Sequence, residues 1–300
     1  MTLELPVARG PARYALAALA ILLVATSPPR EAGAQLVRSG SGIGTPGATA
    51  ARDLFRLDLG GGLVAGANGS FGGLRREINW DGTPANFSAP NNLPVDFFNV
   101  NSPRGVVFST PGGGFQVSGA NTDAGVGQPA AADFGNLNPS YSATFEPFSS
   151  QRLFTALTST ITDVRFFVPG TNTAALTRGF GSIFSDVDLA NTTSIQFFDA
   201  LDNSMGTFFA PNVVGATAPS FSFLGVSFAT PVVSRVRITS GNHILDNVTN
   251  DQNGNTVDLV VMDDFLYAEP FTTVPEPATF GLLAAGLAAV GLVARYRSRG

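Results

Sequence analysis

Apolar and polar residues alternate with a period of two in a series of short runs along the second half of the chain. Residues 152–157, 161–168, 180–184, 194–198, 206–209, 221–228, 232–239 and 257–267 have strand length, and Gly, Pro, Asn or Asp breaks each run. Within 232–239, Val232, Val236 and Ile238 share one face while Val233, Arg235 and Arg237 share the other. Such a segment suits an antiparallel sheet with one face on a core and the other in water.

The first half is patterned more weakly. Leu54, Leu57 and Leu59 precede a Gly-rich turn and read as a short strand. Residues 75–80 run into Asp81-Gly82, a strong turn signal. Runs 106–108 and 115–117 flank a Pro/Gly-rich turn and predict a hairpin. No 11-residue window in the middle of the chain sustains a helical apolar period. Residues 35–51 are mostly Gly, Ser, Ala and Thr, which predicts a flexible lead-in. The expectation is an all-β chain: an antiparallel, jelly-roll-like β-sandwich over residues 52–270. The Gly/Ala/Pro-rich stretch 120–139 is a candidate boundary, but the first half has few large apolar runs with which to build its own core.

The two ends have a different character. Arg9 and Arg13 precede an apolar segment, 14–25, and Ala32-Gly33-Ala34 supplies the small residues a signal peptidase inspects. Residues 1–34 therefore read as a secretory signal peptide, with Gln35 as the new N-terminus. A permanent anchor is the alternative, though the apolar stretch is short for spanning. At the other end, 278–294 holds no charged residue, and a helix of about 17 residues sits at the short limit for crossing a bilayer. A core helix would show a polar face, and this one has none. Arg295, Arg297 and Arg299 follow it and favour a cytoplasmic end. Before it, Pro275 and Pro277 hold Glu276 in an extended, accessible segment.

Pro-Glu-Pro, apolar helix and Arg-rich end together resemble a PEP-CTERM sorting signal, over residues 271–300. The resemblance implies that an exosortase, a membrane transpeptidase-like enzyme, recognises the tail. It also implies an exported protein of a Gram-negative bacterium. Such a chain is first anchored in the inner membrane, then delivered to the periplasm, cell surface or extracellular matrix of a biofilm.

Composition removes several chemistries. Cysteine is absent, so disulfides, thiolate metal sites and Cys nucleophiles are excluded together. A net charge of −5 with no basic cluster in the middle argues against nucleic-acid binding. The sole histidine, His243, lies in a polar turn without a nucleophile elbow nearby, which disfavours a Ser-His-Asp triad or a zinc site.

Carboxylates remain. Asp186 and Asp188 flank Val187 at a strand end and point to one side, whereas Asp263 and Asp264 sit in an apolar strand and project to opposite faces. A buried carboxylate needs a partner or a cation, and Ca²⁺ is held by oxygens alone. One expectation is therefore a structural Ca²⁺ joining Asp186 and Asp188 to Asp263 and Asp264. This pattern resembles extracellular jelly-roll carbohydrate-binding modules, in which the first and last strands share a calcium. Capping of turns, or pairing with Arg235 and Arg237, is the other account. Residues 251–255 have a calcium-loop flavour, but Gly254 falls one place early and Met262 occupies the twelfth position, so a polar turn fits better. Trp80 and Tyr141 could stack on sugars or pack in a core. Two function classes follow: a non-enzymatic structural or exopolysaccharide-binding module, and a polysaccharide hydrolase using paired carboxylates.

Overall fold

The computed structural model describes residues 35–61, 74–120, 131–216, 218–251 and 256–272. The expected signal peptide (1–34), the sorting motif and the expected transmembrane helix (278–294) lie outside the described residues. Among the described residues no helix is long and apolar enough to cross a membrane.

Among the described residues twelve strands form two antiparallel sheets. The larger contains β1 (Gln35–Ile43), β10 (Ser220–Phe228), β7 (Gly179–Ser185), β12 (Val261–Ala268), β5 (Phe154–Leu157) and β4 (Gly114–Val117) in that order, and β2 (Arg75–Ile78) also pairs with β12. The smaller runs β3 (Val106–Ser109), β6 (Ile161–Phe166), β11 (Arg235–Thr239), β8 (Ser194–Phe198) and β9 (Ser204–Phe209). The chain is all-β, as the period-two alternation predicts, and its few helices are short.

Alternation explains the layering. In β10, Leu224, Val226 and Phe228 enter the main core, where they meet Ile195, Phe197, Val236 and Ile238 of the small sheet. Phe221 and Phe223 point the other way, into a second core under a helix, α1 (Pro46–Asp58). The large sheet is thus covered on both sides, and β7, β10 and β12 are buried along their whole length. Trp80 belongs to the main core, 1% exposed and stacked on Phe154 at 4.1 Å between ring centroids. A third apolar cluster gathers Phe134, Leu153, Leu245, Leu259 and Val261 around Tyr141, which opens a one-turn helix (Tyr141–Thr144). Both aromatics are core residues rather than sugar platforms.

Three local expectations are corrected. Residues 35–51 are not a flexible lead-in: β1 pairs along β10 from Gln35↔Phe228 to Ile43↔Ser220, and α1 follows it. Glycine serves close approach here, since a Cβ on Gly40 would lie 2.6 Å from the Gly47 carbonyl oxygen. Leu54, Leu57 and Leu59 are helical or end the helix, not a strand, and Leu54 and Leu57 are exposed. The helix buries Ala48, Ala51, Phe55 and Leu59 instead, at helical spacing but carried partly by small residues. Finally, β3 and β4 do not form a hairpin. They belong to different sheets, so the turn between them carries the chain from one layer to the other.

Candidate metal site

Asp186 and Asp188 lie just beyond the end of β7, and Val187 between them enters the main core. That inward anchor leaves both aspartates on the other side. Asp186 adopts a left-handed backbone (φ 71°), a costly conformation for a residue with a Cβ. Its amide is fixed by the Ser220 carbonyl at 3.0 Å. Asp258 accepts the Asp188 amide at 2.9 Å and also the Thr192 hydroxyl. The corner is therefore tied to the segment that precedes β12.

Asp251 completes the arrangement. Carboxylate oxygens of Asp186, Asp188 and Asp251 all lie within 4.8 Å of one another. Asp251 is further held through its Oδ2, which accepts the Leu259 amide at 2.9 Å. Asp188 is 1% exposed, and neither of its carboxylate oxygens has a hydrogen-bond partner among the described residues. Burial pushes the Asp186 carboxyl up to about 8, and the charges of Asp188, Asp251 and Asp258 add to it. Burial, with Asp251 and Asp258, pushes Asp188 up to about 6. Asp258 is raised too, first by burial. Among the described residues no cationic side chain acts on Asp186 or Asp188, so their ionised carboxylates would face each other uncompensated. A hard cation satisfies oxygen-only ligands of this kind.

The structure separates the other two aspartates of the expected set. Between Met262 and Phe265, β12 slips register against β7. This bulge lets both Met262 and Phe265 face the main core and turns Asp263 and Asp264 to the same side, not to opposite faces. Asp263 accepts the Phe148 and Ser149 amides at 2.7 and 3.1 Å. The Ser149 hydroxyl donates to Asp264 at 2.7 Å, and Arg52 of α1 approaches Asp264 at 3.6 Å. Burial raises the carboxyls of both well above or above the usual range. These two aspartates brace the outer face of the large sheet, and the carboxylates that come close enough to hold an ion are instead Asp186, Asp188 and Asp251. Pairing with Arg235 and Arg237 is corrected too, because those arginines bond Asp163 and Asp202. His243 hydrogen-bonds the neighbouring Ile244 carbonyl at 3.0 Å.

Sequence reasoning assigned Asp251 to a polar turn. Its clue was a second acid in the same loop system, Asp258, but only the fold brings either to the β7 corner.

Beyond the last described residue, Thr272, residues 273–298 match the family model of the PEP-CTERM protein-sorting motif. The chain carries a PEP-CTERM sorting signal. The match takes in Pro275, Glu276, Pro277, Arg295 and Arg297, while Arg299 stands just past it. No curated protein and no solved structure matches the chain. PEP-CTERM sorting makes this an exported, membrane-transiting protein of a Gram-negative bacterium, with an exosortase as its processing partner.

Proposed function

We propose that the PEP-CTERM protein is a calcium-braced, non-enzymatic module that works outside the cytoplasmic membrane, in a structural or exopolysaccharide-binding role at the cell surface or in the matrix. Signal peptidase would release a chain beginning at Gln35, which is paired with Phe228 in β1. The observation that carries the reading is Asp188: a buried carboxylate with both oxygens unpartnered among the described residues, beside Asp186 and Asp251. An isolated buried anion is too costly to persist without compensation. A divalent ion supplies it, and oxygen ligands from two separate chain segments suit the coordination of Ca²⁺.

The enclosure of the carboxylates supports a non-catalytic part. Asp186, Asp188, Asp263 and Asp264 are each at most 7% exposed, which leaves little access for a glycosidic bond. A hydrolase would have to use more open acids such as Asp133 beside Glu146, where burial pushes Asp133 up to about 6.

Thermal unfolding of the full chain in detergent, with EDTA and then with Ca²⁺, tests the reading. At a calcium concentration near 100 Kd, a folded-state ligand adds about 2.7 kcal/mol, which for a domain of this size raises Tm by roughly 5–10 °C. The rise should vanish in Asp188→Asn. An equal Tm under both conditions would overturn the metal brace. Release of reducing ends from a polysaccharide, lost in Asp133→Asn, would overturn the non-enzymatic reading.

A further inference from the structure

The outer face of the small sheet is open and charged. In β6, Thr162, Val164 and Phe166 are buried while Arg165 is exposed, so Asp163 and Arg165 project outward. In β11 and β8, Val236, Ile238, Ile195 and Phe197 enter the core, which turns Arg235, Arg237, Gln196 and Phe198 to the same outer face. Asp163 is shared by Arg235 and Arg237, at 2.9 and 2.8 Å. Arg235 also bonds Asp202 at 2.6 Å and lies over the Phe198 ring at 3.6 Å.

Arg165 differs. It stands directly opposite Arg235 in the strand pairing, and among the described residues its side chain makes no hydrogen bond or ion pair. Like charges placed opposite each other across a sheet are destabilising, so nothing in folding favours an arginine there. Beside it opens a cavity of ≈ 350 Å³, whose lining includes Phe166, Ala200 and Ser234. From β6 to β9 the face spans about 14 Å, three strand spacings. At its far end Thr207 and Phe209 are exposed, Phe209 opposite Ser194 and therefore on the outer side.

We propose that this face binds an acidic polysaccharide, one with carboxylates spaced along a chain of hydroxyl-bearing rings. Arg165 takes a sugar carboxylate at the mouth of the cavity, and Arg237 takes a second. Gln196 and Thr207 bond sugar hydroxyls, and the Phe209 ring lies against the apolar side of a pyranose. The chemistry favours this partner because the surface charge is sparse. Asp163 and Asp202 offset all but one of the three arginines, whereas a nucleic acid calls for a dense cationic track. The inference rests on the exopolysaccharide-binding reading above and gives it a place and a ligand class.

Tetragalacturonate, maltotetraose and tetraglutamate, titrated against the full chain in detergent, test the proposal. Tetragalacturonate should bind, with affinity falling as salt is raised, and Arg165→Gln should weaken it about tenfold. The Arg165 side chain makes no hydrogen bond or ion pair to lose and stands opposite another arginine, so this variant should keep or slightly raise the parent Tm and keep its calcium response. Equal binding of maltotetraose would overturn the acidic ligand while keeping the glycan-binding reading. Preference for tetraglutamate, no binding of tetragalacturonate, or unchanged affinity in Arg165→Gln would overturn the assignment of this face.

Discussion

Two groups of buried aspartates lie along the β7 and β12 strands, and the protein treats them in opposite ways. Around Asp263 and Asp264 it provides its own compensation: the amides of Phe148 and Ser149, the Ser149 hydroxyl and the Arg52 guanidinium. Around Asp186, Asp188 and Asp251 it provides further carboxylates, and the oxygens of Asp188 meet no donor among the described residues. Both groups are acidic and enclosed, so acidity alone does not mark a metal site. What marks it is the shortfall of donors. A buried anion that the chain has not neutralised must be neutralised from outside.

The largest effect should come from the self-compensated group. Asp263→Ala leaves the Phe148 and Ser149 amides without their acceptor in a buried setting, which should cost about 3–5 kcal/mol. Urea unfolding should give the same loss with calcium and with EDTA. A loss seen only with calcium would place Asp263 in the metal site after all and erase the distinction.

A pH series comes next. Without metal, Asp186 titrates near 8 and Asp188 near 6, both above the ordinary 3.8. Between about pH 4 and 8 the folded state therefore holds protons that the unfolded state gives up, and stability falls as pH rises. In EDTA, Tm should drop by several degrees across that window, and Asp186→Asn should flatten most of the slope. Saturating Ca²⁺ should remove it, because a cation favours the ionised carboxylates. A slope that calcium leaves unchanged would assign the titration to carboxyls outside the cluster, Asp133, Asp263 and Asp264.

The smallest effect should be that of Arg52→Gln, about 1–2 kcal/mol. Its guanidinium is 3.6 Å from Asp264, while Ser149 is closer and remains in place. A loss as large as that of Asp263→Ala would show that the arginine, not the amide cradle, compensates the pair.

The sequence displayed the sandwich most clearly where large apolar residues mark the period. Strands β5 to β12 are legible because Phe, Val and Ile alternate with smaller or polar partners, as in β10 and β11. The β1–α1 unit was illegible for the opposite reason. Its contacts are made by Gly40, Gly47, Ala48 and Ala51, whose value lies in being small, and a composition of small residues looks the same in a linker as in a tight interface. The candidate site was half legible. Asp186 and Asp188 follow from strand geometry, but Asp251 reaches them only through tertiary folding, and the bulge that diverts Asp263 and Asp264 has no local sequence signature.

The last stitch of the fold sets how far the protein can stand from its processing enzyme. Phe271 is bonded to Leu176 in both directions, at 3.0 and 3.2 Å, immediately before the sorting segment begins at residue 273. From Phe271 to Pro275 the chain reaches at most about 14 Å even when fully stretched. The leash is short. Whatever engages Pro-Glu-Pro must therefore do so within about 14 Å of the edge that Phe271 and Leu176 close.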